Sequence, residues 1–203
     1  MTTIISYANW QIINGNCIEV LKNDLPKDQK VDLIFADPPF GINFGTNNGY
    51  YNRDKSTVIG KYREIKQVDY QSFSEAWLEQ AYKILKDKGL LWTVSGWTNN
   101  HIIRTEALKL GFNLINEVIW KHNFATWNSS KFISTHYVLS LYAKNPEDYY
   151  FNPTCRYPIM KGKGKNKPNY ADRLSVWEIP KDPMWFFFVY HQKVHQYCFH
   201  KRY

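Results

Sequence analysis

Cysteine is scarce in this chain, with three in 203 residues. Cys17, Cys155 and Cys198 are too few and too scattered for a disulfide framework, which excludes a small stapled scaffold and fits a reducing cytoplasm. Long apolar runs are lacking as well. The longest wholly apolar run, Trp185 to Tyr190, is far too short to span a bilayer, and "MTTIISYANW" has neither the basic start nor the long apolar core of an export signal. Acids are outnumbered, 18 against 26 lysines and arginines, for a formal charge of +8. Such an excess raises affinity for a polyanion, nucleic acid or an acidic membrane; the plain alternative is a soluble basic protein. Hydrophobic residues, by contrast, make up 44% of the chain, enough at this length for one globular domain with a sizeable core.

The apolar residues fall into alternating periods. "WQIING" reads as a short strand closed by the turn pair Asn14-Gly15, and "CIEVLKNDL" puts Ile18, Leu21 and Leu25 on one helical face. "VDLIFA" is a nearly continuous apolar run, as expected of a parallel strand covered on both sides. "YQSFSEAWLEQAYKILKDKG" predicts an amphipathic helix with Phe73, Trp77, Ala81 and Leu85 on one stripe and Gly89 as its stop. "LLWTVSG" then reads as a strand, "TNNHIIRTEALKLG" as a helix ended by Gly111, and "FNLINEVIWK" and "HYVLSLYA" as two more strands. Trp77, Trp92 and Trp120 fall inside apolar stripes and read as core residues. Strands separated by helices predict an open α/β sheet, whose ligands sit beyond the carboxyl ends of the strands.

Asp37-Pro38-Pro39-Phe40 occupies such a place, directly after "VDLIFA". Proline has no amide to donate, so the two prolines end the ladder and hold the chain in one extended shape. A carboxylate, the Pro38 carbonyl and an aromatic ring are thereby fixed around one small space. An exocyclic amine such as that of adenine is a poor nucleophile, because its lone pair is delocalised into the ring. Two acceptors aimed at its two hydrogens would localise that pair for attack on an electrophilic methyl group, and Asp37 and the Pro38 carbonyl are suited to be those acceptors. Phe40 would stack on the base, a contact worth about 1–3 kcal/mol in nucleic-acid binders. The bland reading of the same four residues is a strand-terminal turn.

The stretch resembles motif IV of amino-directed S-adenosylmethionine-dependent methyltransferases, Asp/Asn/Ser-Pro-Pro-Tyr/Phe. Its surroundings, "NGNCIEVLKNDLPKDQKVDLIFADPPFGINF", "AYKILKDKGLLWTVSG", "LGFNLINEVIWKHN" and "HYVLSLYAKNP", are similar in order to the permuted (β-type) DNA adenine methylases over roughly residues 10–180. In several rRNA guanine methylases with a comparable motif, a glycine-rich cofactor loop and several βα units come first, and only 36 residues precede Asp37 here. The resemblance implies a Rossmann-like methyltransferase fold with an open, mainly parallel sheet, incomplete at its C-terminal side. It further implies an α/β core over residues 1–150, a basic target-recognition segment over 151–175 and a divergent tail over 176–203. The implied chemistry is methylation of adenine in double-stranded DNA, with cytosine N4 as the alternative target; Asp at the first motif position favours adenine. Asp37, Pro38, Pro39 and Phe40 become the catalytic residues, and Asn16, Cys17, Asp37 and Pro38 the contacts to S-adenosylmethionine. Asn16 stands where the family usually has an aspartate near the cofactor adenine.

Three further segments bear on that reading. Residues 41–63, rich in glycine, asparagine and tyrosine, suit a lid over substrate, or else a plain surface loop. Arg156, Lys161, Lys163, Lys165, Lys167 and Arg173 face a single acid, Asp172, within their segment and suit contacts to DNA phosphates, with a solvated basic loop as the alternative. The family's Asp-Pro-Phe-x-Gly-x-Gly loop, which holds the methionine end of the cofactor, is absent, so weak cofactor binding by the chain alone is expected. The aromatic, histidine-rich tail after Pro183 looks like a truncated end, and a non-catalytic DNA-binding remnant or subunit is the second reading. An edge left bare at "VDLIFA" would invite self-association or a partner strand. His191, His195, Cys198 and His200 match no structural zinc pattern, and no metal site is expected.

Overall fold

The structure is a computed structural model that describes residues 2–26, 28–42, 64–123, 129–152 and 174–179. The chain opens with a hairpin of β1 (Thr3–Tyr7) and β2 (Trp10–Asn14), closed by Tyr7 opposite Trp10 with their rings stacked 4.1 Å apart. The hairpin forms a sheet of its own, and every β1 residue is exposed. A short helix α1 (Cys17–Glu19) runs into a π-helical turn over Val20–Asp24. There follow β3 (Val31–Ala36), α2 (Tyr70–Ile84), β4 (Leu85–Ser95), α3 (Asn100–Lys109), β5 (Asn113–Lys121), β6 (His136–Ala143) and β7 (Val176–Glu178).

The main sheet has the order β3-β4-β6-β5-β7. β3 pairs parallel with β4 and β5 parallel with β7, whereas β6 runs antiparallel to both of its neighbours. Four of the five strands therefore point one way and β6 alone opposes them, which keeps the carboxyl ends of β3, β4, β5 and β7 together. The α/β class expected from the alternating periods is the class observed, and β7 comes from the segment read as a divergent tail.

Strand alternation sorts the side chains onto two faces. Ile34, Ala36, Leu91, Leu114 and Tyr142 join a cluster with Trp77, Leu78 and Ala81 of α2 and Ile103 and Ala107 of α3. The opposite face is built on Val94, Val118 and Leu139, with Phe40, Trp92, Trp120, Tyr137 and Trp177 packed partly buried around them. Among the described residues no helix contributes to this second cluster. At its margin Leu33 and Phe35 of β3 are 50% and 56% exposed, so "VDLIFA" is covered on one face, not on both as its apolar run predicts. The reason is that α2 and α3 both pack on the Ile34 and Ala36 face, and no described helix packs on the face of Leu33 and Phe35.

Gly111 ends α3 as predicted: at φ +96° it lets Phe112 N–H reach the Ala107 carbonyl and its own N–H reach that of Leu108. Gly89 does not end α2. The helix stops at Ile84, because Leu85 turns extended to pair with Val31 and is fully buried. The pairing then jumps to Leu33 opposite Leu90, so residues 86–89 bulge out. Gly89 serves that bulge, since a Cβ there would lie 2.7 Å from the Leu85 side chain.

Candidate active site

β3 delivers Asp37, exposed, and then Pro38, Pro39 and Phe40, all half-buried, at the carboxyl edge of the sheet. Gly41 follows at φ +65°, a backbone region that side chains rarely adopt, and a Cβ there would fall 2.3 Å from the Tyr70 ring. The turn is thus pressed directly onto the first residue of α2.

Side chains from distant parts of the sequence hold the turn's backbone. The Tyr70 hydroxyl donates to the Pro39 carbonyl at 2.9 Å. The Asn99 carboxamide donates to the carbonyls of Phe40 (2.7 Å) and Gly41 (3.1 Å). Gly41 N–H donates to the Glu64 carboxylate at 3.0 Å. Gln67 pairs amide to amide with Asn99 at 2.9 and 3.2 Å. Burial first, and then the Glu64 charge, push the Tyr70 phenol up to about 12, so it remains a neutral donor at any physiological pH. Tyr70 and Asn99 engage the carbonyls of residues 39, 40 and 41, and neither engages the carbonyl of Pro38, beside Asp37.

The Phe40 ring lies on the opposite side of this clamp. It meets Tyr137 edge-on at 5.4 Å, and Tyr137 in turn meets Trp120 at 5.4 Å and the buried His122 at 4.9 Å. Gly96, just past β4, lies beside the same ring, where a Cβ would make an ordinary contact at 3.5 Å. An aromatic wall therefore runs from the motif along the ends of β5 and β6.

Asn16 and Cys17 sit elsewhere, at the start of α1. Asn16 caps that turn, its Oδ1 accepting from Ile18 N–H at 3.0 Å and Glu19 N–H at 3.5 Å, and Cys17 is an exposed free thiol. Most of the predicted lid (residues 43–63), the basic residues Arg156, Lys161, Lys163, Lys165, Lys167 and Arg173, and the histidines of the tail lie outside the described residues. Sequence reasoning missed Tyr70, Glu64, Gln67 and Asn99, since Tyr70 reads as a helix start and Asn99 as an ordinary helix cap.

A family model described as DNA methylase, N6_N4_Mtase, matches residues 31–199. The chain belongs to the DNA methylase family. The match continues past Pro183, beyond the stretch in which the sequence resemblance is visible. Among curated relatives, the type II methyltransferase M.HinfI of Haemophilus influenzae is 29% identical over 174 residues, covering 83% of this chain and 45% of M.HinfI. The type II methyltransferase M2.MboI of Moraxella bovis is 27% identical over 185 residues, covering 87% of this chain and 63% of M2.MboI. This DNA methylase chain thus spans between about half and two thirds of the length of these relatives. In fold it is similar to TTHA0409 of Thermus thermophilus, whose name places it among DNA modification methylases, with a TM-score of 0.50 at 18% identity over 83% of this chain and 66% of that one. Among the described residues no helix is long and apolar enough to cross a membrane.

Proposed function

We propose that this chain carries the target-amine site of a DNA methyltransferase that modifies the N6 amine of adenine in double-stranded DNA. The observation that carries the reading is the division of labour in the turn. Tyr70 and Asn99 hold the carbonyls of residues 39–41 inward, and among the hydrogen bonds of the described residues neither takes up the carbonyl of Pro38, which follows the exposed Asp37. Two acceptors next to one another suit the two hydrogens of an exocyclic amine, and drawing on both localises the nitrogen lone pair where it can attack. Phe40 supplies the stacking face for a base turned out of the duplex, backed by Tyr137. Pro39 keeps the two acceptors rigid.

In this reading the adenosyl end of S-adenosylmethionine would be met by Asn16 and Cys17 at the α1 turn. Asn16 spends its oxygen on the Ile18 and Glu19 amides, and its amide nitrogen would donate to the adenosyl ring, with Cys17 beside it. When bound, S-adenosylmethionine would supply the electrophilic methyl group. The segment from Arg156 to Arg173 supplies phosphate contacts, and changing Lys161, Lys163, Lys165 and Lys167 to Gln should flatten the slope of log affinity against log salt.

Asp37→Ala tests the assignment: methyl transfer to DNA should be abolished while DNA affinity stays near wild type, because the acid acts on the amine and not on phosphates. Wild-type turnover in that variant would refute it. Digestion of the product to nucleosides separates N6-methyladenine from N4-methylcytosine. The place of β3 at the edge of the sheet, with β4 as its only neighbour among the described strands, favours a second reading, in which the chain acts as a DNA-binding subunit whose β3 takes a strand from another chain or from a second copy. Weak S-adenosylmethionine binding by the isolated chain in calorimetry, together with a concentration-dependent sedimentation coefficient, would support it; micromolar binding by a monomer would exclude it.

A further inference from the structure

We propose that Asn99 is a positioning residue for the methyl-transfer motif, setting the turn so that the Pro38 carbonyl is presented to the target amine. The inference rests on the reading of Asp37 to Phe40 as the amine site, and it is carried by how Asn99 spends its hydrogen bonds.

Asn99 occupies the N-cap position of α3, where asparagine is among the favoured residues because its side-chain oxygen accepts from the first free helical amides. Here the side chain makes no such bond. Only the Asn99 backbone carbonyl serves the helix, accepting from Ile102 and Ile103. The carboxamide turns away from its own helix and is 1% exposed, its hydrogen bonds directed at the motif and at Gln67. A cap that forgoes capping points to a different task.

That task is visible in the partners. Two consecutive carbonyls, of Phe40 and Gly41, accept from one nitrogen, so their orientation is fixed relative to each other as well as to the sheet. Gln67 holds the Asn99 amide in place from the 3₁₀ turn Gln67–Asp69 that opens α2. The residue after that turn is Tyr70, which holds the Pro39 carbonyl. The two helices thus grip the turn through one connected set of side chains, with Asn99 at its node. The requirement is for a donor of this length: aspartate at 99 would set an acceptor against two carbonyls, and serine would be too short to reach them.

Serine and aspartate are nevertheless good N-caps, which allows the two roles to be separated. In the full-length chain, Asn99→Ser and Asn99→Asp give α3 a capping side chain but leave the Phe40 and Gly41 carbonyls without their donor, so both should melt somewhat lower, Asn99→Asp the more because it buries a carboxylate against two carbonyls. Exchange of the Gly41 amide, which donates to Glu64, should quicken roughly tenfold or more while amides of α2 and β6 keep their protection. In a preparation that turns over, kcat should fall about 10²-fold with KM for DNA and S-adenosylmethionine nearly unchanged, as expected of misplaced rather than missing chemistry. Wild-type exchange at Gly41 in Asn99→Ser would overturn the proposal. So would exchange that rises as much in α2 and β6 as at Gly41, which is the signature of a purely structural residue. Asp37→Ala run in parallel separates this inference from the one beneath it. If Asp37→Ala is inactive and Asn99→Ser keeps full kcat, only the role of Asn99 fails; if Asp37→Ala keeps wild-type turnover, the amine site itself is misassigned.

Discussion

One face of the five-stranded sheet lies under α2 and α3, with Leu78, Leu85, Leu91, Ile103 and Tyr142 wholly buried; the other is finished with aromatic rings and leaves Leu33 and Phe35 half open. The turn from Asp37 to Gly41 belongs to both. Its backbone is gripped from the helical side by Tyr70 and Asn99, and its Phe40 ring is offered to the aromatic side against Tyr137. The difference teaches how a rigid site can be made beside an adaptable surface: packed helices supply fixed hydrogen-bond donors, and the less covered face supplies planar, polarisable contacts.

The contrast can be broken most sharply from the covered face. Leu78→Ala should cost about 2–5 kcal/mol in denaturant unfolding, since it removes a fully buried side chain at the centre of the helix layer. Tyr70→Phe should cost less, on the order of 1–3 kcal/mol, by leaving the half-buried Pro39 carbonyl without its donor. It should also change the pH dependence. Tyr70 is raised from 10.0 to about 12 in the folded state, so its contribution is intact below pH 10 and lost as pH rises through 12. The phenylalanine variant should lack that part of the alkaline slope. Phe35→Thr, on the open face, should move stability by no more than about 0.5 kcal/mol and improve solubility. A cost for Phe35→Thr equal to that of Leu78→Ala would show that the second face is as fully covered as the first.

Much of this architecture is legible in the residues. β3 and β6 begin and end where "VDLIFA" and "HYVLSLYA" do, because dense apolar runs flanked by polar or turn-forming residues leave little room for a different register. Gly111 announces the end of α3 because only a positive φ closes that turn. The end of α2 is hidden: "LKDK" is made of acceptable helix formers, and only the burial of Leu85 against its neighbours opposes them. The reversal of β6 is hidden too, since alternation reports which side a residue faces and says nothing of which way a strand runs. At the site, Asp37 to Phe40 stand out because two prolines directly behind an apolar strand end its ladder abruptly. Their holders do not stand out, as Asn99 lies 58 and 59 positions from the carbonyls it serves, and its residue type is already explained by the helix that follows.

The reversed strand also sets a timetable for synthesis. β6 sits between β4 and β5 in space but leaves the ribosome after both. Until residues 136–143 have emerged, the Leu90–Ser95 edge of β4 has no strand to pair with and β5 lacks its hairpin partner. The nascent chain passes through an interval in which what will become the middle of the sheet is its most adhesive border. A pause in translation before residues 136–143 emerge prolongs that interval, and their emergence ends it.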